Sequence, residues 1–191
     1  MSTTITTTPT SRLRFGLARV DITPPVGIYH PLWGAARHHQ ATGIHRPLTA
    51  EVMVFAPLEG PPQLIRAQLD LPGLVKTQHE SLIQALSAAG GLAADQIVIC
   101  YSHTHAAGWF VPDRFQLPGG DLIEPYLAEV AAKLGQAGRE ALANLQPVTI
   151  TYATGRCNMA ANRDYWDAGN GLTPAATIPT RRPMIRFWWP G

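Results

Sequence analysis

Charge is what this chain has least of: Asp, Glu, Lys and Arg make up 15% of its 191 residues, against about 25% in an average soluble domain. That shortage excludes a coiled coil, whose flanking positions need charge, and it argues against a basic nucleic-acid binder. The 13 arginines and 2 lysines are scattered, so no stripe follows a phosphate backbone and no nucleic-acid partner is expected. Cysteine is nearly absent as well. Cys100 and Cys157 cannot build a disulfide framework or a thiolate metal cluster, and Cys100, inside an apolar run, reads as a buried free thiol. No apolar run approaches the roughly 20 residues that span a bilayer, so no transmembrane segment is expected. The opening MSTTITTTPTSRLRF lacks a basic region followed by an apolar one, which makes a cytoplasmic location the expectation. A Gly-rich phosphate cradle, a Gly-x-Ser-x-Gly elbow and a Cys-x-x-Cys pair are all missing. Nucleotide binding and simple serine hydrolysis therefore have no motif here.

What is present suits one folded domain. Hydrophobic residues reach 46%, too many for a disordered chain. Residues 1–12, rich in Thr, read as a disordered lead-in, residues 13–170 as the domain, and 171–191 as an irregular tail interrupted by Pro174, Pro179, Pro183 and Pro190. Strands are expected at 13–22, 49–58, 63–71, 97–102 and 148–155, from alternating or continuous apolar runs bounded by Gly and Pro. Residues 97–102, IVICYS, have the composition of an interior strand covered on both faces. Helical periodicity places Leu74, Leu82, Ile83 and Leu86 on one face of a helix over 73–89, which Gly90-Gly91 ends. A second helix over 123–145 turns Leu127, Val130, Leu134, Ala137, Ala141 and Leu145 inward, with Asp121 as its expected cap. Residues 28–46 form a long loop, and long ordered loops are often functional. The fold class is α/β, a layered mixed β-sheet with flanking helices.

The sharpest chemical signal is Ser102-His103-Thr104-His105, directly after a strand. Alternate residues of an extended segment share a face, so His103 and His105 can look into one pocket at the strand's carboxyl end. Neutral imidazole suits zinc; equally, these can be two hydrogen-bonded loop histidines. Asp70 ends the neighbouring strand and can ligate a metal, orient a metal-bound histidine, act as a base, or simply cap the following turn. Asp21, before Thr23-Pro24, suits an Asx-type turn. His45 either faces the same pocket or lies at the surface. His30, His38, His39 and His79 have no partner spacing that supports a ligand role, and His79 is expected in solvent on its helix.

Taken in order, Gly16-Leu17-Ala18-Arg19-Val20-Asp21-Ile22-Thr23-Pro24-Pro25, Gly43-Ile44-His45, Leu48 to Phe55, Leu69-Asp70 and Ser102-His103-Thr104-His105 resemble the N-terminal part of the catalytic domain of the neutral/alkaline non-lysosomal ceramidases. Ala141-Leu142-Ala143-Asn144-Leu145-Gln146-Pro147 and Asn162-Arg163 continue the likeness, which covers about residues 13–165. It implies a zinc-dependent amidohydrolase acting on a lipid-like or other acyl-amide substrate such as ceramide, with Zn²⁺ as cofactor. His103 corresponds to a zinc ligand, and His105 lies beside the metal, in contact with substrate or water. With Asp70, His105 forms the expected catalytic pair. The family usually reads Ser-Gly-Pro where this chain has Ala106-Ala107-Gly108, a departure that bears on substrate preference. Its remaining ligands, a histidine, a glutamate and a tyrosine, lie downstream of the matched part. The expectation is therefore an incomplete domain carrying part of a metal site, with the C-terminal part of the catalytic domain missing. The alternative is a non-catalytic or degenerate fragment without metal chemistry.

Overall fold

The computed structural model describes residues 10–32, 37–157 and 169. The chain divides into two units, one of Thr10–Thr151 and one of Met1–Pro9 with Tyr152–Gly191. All elements named below lie in the first. The expected tail 171–191 and Asn162-Arg163 fall outside the described residues.

Five strands, β1 (Thr10–Asp21), β2 (Thr49–Ala56), β3 (Leu64–Leu69), β4 (Ile97–Tyr101) and β5 (Gln146–Thr151), form one mixed sheet in the order β4-β3-β2-β1-β5. β1, β2, β3 and β5 pair antiparallel, whereas β4 runs parallel to β3. A parallel pair needs a crossover, and helix α1 (Lys76–Gly90) provides it. Helix α2 (Ile123–Ala143) then returns the chain to β5. The α/β class and the mixed sheet with flanking helices are those expected.

The pleat explains the core. Val52 and Val54 of β2 and Ile65, Ala67 and Leu69 of β3 are fully buried, alternating with half-exposed Met53, Phe55, Arg66 and Gln68. The buried set packs with Leu82 and Leu86 of α1 and Val130, Leu134, Ala137 and Ala141 of α2. The helical positions were thus legible from their period. Gly16 is required for this packing: a Cβ there would collide with the carbonyl oxygen of Ala141, so β1 approaches α2 backbone to backbone. Tyr126 fastens the same contact, donating its buried hydroxyl to the carbonyl of Ile22 at 2.7 Å.

Several expectations are corrected. β4 lies at the end of the described sheet, not inside it, and Val98 is 44% exposed. Cys100, opposite Gln68 in the parallel register, is accordingly half-buried instead of buried. The strand starts three residues earlier than expected, because Thr10, Ser11 and Arg12 pair with Thr151, Ile150 and Thr149; they are strand, not lead-in. Asp121 does not cap α2. Gly119 (φ 77°) turns the chain into a short 3-10 turn, Gly120–Leu122, which takes up Asp121 and leaves Leu122 as the cap without a side-chain bond.

Candidate functional site

The carboxyl ends of β3 and β4 meet the long loop between β1 and β2. The loop is ordered by its own backbone: Ile22 N–H donates to Leu48 O at 2.9 Å, Gly27 N–H to Ala41 O at 2.8 Å, Ala41 N–H to Ile28 O at 2.9 Å, and His30 N–H to His39 O at 3.1 Å. These bonds make an irregular hairpin, with Tyr29 bridged to Gln40. Its entry is the expected Asx turn, where Thr23 N–H donates to Asp21 Oδ1 at 2.7 Å. The Thr23 side-chain and backbone hydrogen bonds hold the Asp21 carboxyl below its ordinary range. Tyr29 N–H donates to Gly119 O at 2.9 Å, tying the loop to the turn before α2.

Beyond β4 the chain leaves the ladder in two steps. Ser102 N–H donates to Leu69 O at 2.9 Å and His103 N–H to Leu71 O at 3.1 Å. His103 then adopts a left-handed conformation, φ 57°, uncommon for a side-chain-bearing residue and frequent at functional sites. The alternation of a strand therefore does not govern His103 and His105; even so their rings lie edge to face with centroids 5.3 Å apart. His103 Nδ1 sits 2.6 Å from the carbonyl oxygen of Pro72. A carbonyl only accepts, so Nδ1 carries the proton and donates, and Nε2 holds the lone pair. Histidines that ligate metals are often held by a backbone carbonyl in this way.

A cleft of about 520 Å³ opens beside the motif. Asp70, His45, His30, Thr104 and Ala106 line it together with apolar Pro24, Ile44, Pro47 and Leu48. The structure thus brings Asp70 and His45 to one cleft with Thr104, the residue between the two histidines. His103 and His105 themselves are not among its walls. Asp70 is firmly held: its Oδ2 accepts the Thr49 N–H at 3.0 Å and the Thr49 hydroxyl at 3.2 Å. Its Oδ1 accepts no hydrogen bond among the described residues, so one carboxylate oxygen remains for a ligand. Among those residues, no three His, Cys, Asp or Glu side chains gather around one point. Among the described residues, His103 thus keeps an Nε2 lone pair with no set of further ligands gathered around it.

Two histidines behave unlike the sequence reading. His79 is not solvated but half-buried, with Nδ1 2.9 Å from the Tyr101 hydroxyl, and burial pushes the Tyr101 phenol up to about 12. His30 and His38, given no partners by their spacing, are joined: His30 Nδ1 lies 2.9 Å from His38 Nε2, and His30 Nε2 lies 3.0 Å from the Ala106 carbonyl oxygen. No spacing rule links positions eight apart in an irregular loop. The Tyr29–Gln40 bridge, which brings them together, depends on contacts far along the chain.

No family model matches the sequence, and no curated protein sequence matches it. Solved structures do. Neutral ceramidase from Pseudomonas aeruginosa aligns with a TM-score of 0.57 at 20% identity, covering 73% of this chain and 22% of that one. A ceramidase structure described as complexed with C2 aligns with the same values. The chain therefore spans about a fifth of the length of the ceramidases it matches, and what it shares with them is the fold.

Proposed function

We propose that the chain carries part of the active site of a zinc-dependent hydrolase of acyl-amide bonds, of the ceramidase type. The observation behind this reading is His103. It stands at the carboxyl end of a strand in a ceramidase-like fold, held left-handed, with Nδ1–H donating to Pro72 O and Nε2 left with its lone pair. Zinc bound there supplies a Lewis acid and an acidified water. A catalytic zinc takes three protein ligands and an open position, so the other ligands must come from outside the described residues. His105 stands against the His103 ring, where it can meet substrate or water. Asp70, fixed by Thr49, offers Oδ1 to the cleft as a hydrogen-bond acceptor or base. The apolar walls around Ile44 and Leu48 suit an acyl chain, and Asp70, His45 and Thr104 suit the polar amide.

Titrating the protein with a short-chain N-acyl sphingosine, followed by backbone NMR, tests the substrate class. Saturable shifts at Ile44, Leu48, Asp70 and Thr104, lost in Asp70→Ala, are expected. Shifts absent there, with folding intact, would favour the non-catalytic alternative.

A further inference from the structure

The His30–His38 pair is absorbed by none of the chemistry above. His30 Nε2 faces a carbonyl, so it bears the proton and His30 Nδ1 is an acceptor; His38 Nε2 must then donate to it across 2.9 Å. His30 is the better fixed partner, held by Ala106 O through its ring and by His39 O through its backbone N–H. The exposed His38 needs only to move its proton from Nε2 to Nδ1, by exchange with solvent, to turn a second lone pair toward the same point. The pair then presents two neutral imidazole nitrogens, one with its far nitrogen already anchored on a backbone carbonyl, the outer arrangement typical of metal-bound histidine.

We propose that His30 and His38 form a separate binding site for one divalent cation of the copper(II) or nickel(II) kind, distinct from His103. The separation selects the cation. With metal–nitrogen bonds of about 2.0–2.1 Å, adjacent positions of a square or octahedral ion place two nitrogens about 2.9 Å apart, whereas a tetrahedral ion needs about 3.3 Å. The observed 2.9 Å matches the former; with ring centroids 5.1 Å apart the rings face nearly head-on, so each swings to turn its lone pair off the N···N line toward the cation. Water completes the coordination, since His38 is exposed and the described residues add no third side chain. Because His30 is bonded to Ala106, a cation here also ties the loop hairpin to the turn that follows His103.

Calorimetric titration of the full chain with Ni²⁺ tests this, alongside His38→Gln, His30→Ala and His103→Ala. His38→Gln keeps an N–H donor for His30 while removing the ligand nitrogen, so its melting temperature without metal should match the parent's. One Ni²⁺ per chain is expected, weakened by roughly tenfold or more (about 1.4 kcal/mol or more) in His38→Gln and His30→Ala and unchanged in His103→Ala. Ni²⁺ should also bind more tightly than Zn²⁺ relative to a His103-dependent event. Binding that survives His38→Gln, or that follows His103 alone, would overturn the proposal and show the pair to be only a hydrogen bond within the loop. Failure of the His103 reading leaves this result untouched, because the two sites share no ligand.

Discussion

Asp70 and Thr49 are joined three times: Asp70 N–H donates to Thr49 O at 3.0 Å, and Asp70 Oδ2 accepts both the N–H and the hydroxyl of Thr49. The carboxylate is thereby fixed at the point where β2 begins and β3 ends. Thr49→Val removes one donor and should cost roughly 1 kcal/mol in urea denaturation. Asp70→Ala should cost more, because it leaves the Thr49 N–H unpaired in a half-buried position. Equal, negligible effects of both would show that the carboxylate is not held.

Gly16→Ala should destabilise severely, by about 3 kcal/mol or more, because the added Cβ meets the Ala141 carbonyl, which α2 cannot withdraw without losing its packing. Thermal melting of the variant measures this. A loss below about 1 kcal/mol would mean that β1 and α2 are not in this contact.

The Tyr101 phenol makes stability depend on alkaline pH. Its proton is held more tightly folded, to about 12, than at its ordinary value of 10.0, because burial disfavours the phenolate. A raised value contributes stability that is whole below pH 10 and lost as pH rises toward 12. Denaturation midpoints should fall over that window, and less steeply in Tyr101→Phe. Identical slopes would contradict the burial of Tyr101 against His79.

Asp21 works in the opposite direction. Its carboxyl is held below the ordinary 3.8 by the hydrogen bonds of Thr23, so the stability it adds is present above that value and lost as pH falls through the lower folded one. Asp21→Asn should flatten the acid limb of the stability curve. An unchanged acid limb would mean that the Thr23 bonds do not favour the carboxylate.

The fold class and the core of both helices were legible because they rest on local pattern. The period of Leu82, Leu86, Val130, Leu134 and Ala137 survives whatever packs against it. The Asx turn at Asp21 was legible for the same reason: donor and acceptor lie two residues apart. The place of β4 was not. An apolar run such as IVICY records only that a strand is partly covered, and the edge position is decided by pairing with β3 across the α1 crossover. Likewise, Asp121 had the right chemistry for a cap, but Gly119 began the turn one step earlier. Of the candidate residues, His103 was singled out by its motif and Asp70 by its place at a strand's end, whereas the His30–His38 pair and the His79–Tyr101 bond come from tertiary contacts that no spacing encodes.

In the proposed zinc site His103 offers Nε2 to the metal while Pro72 O holds its Nδ1–H. Imidazole ¹⁵N NMR of the zinc-titrated protein tests it directly. His103 Nε2 should move on zinc addition, its Nδ1 proton should stay protected from exchange, and binding should be weak, because the proposed site has one ligand among the described residues. A His103 Nε2 that carries the proton and is indifferent to zinc would contradict it.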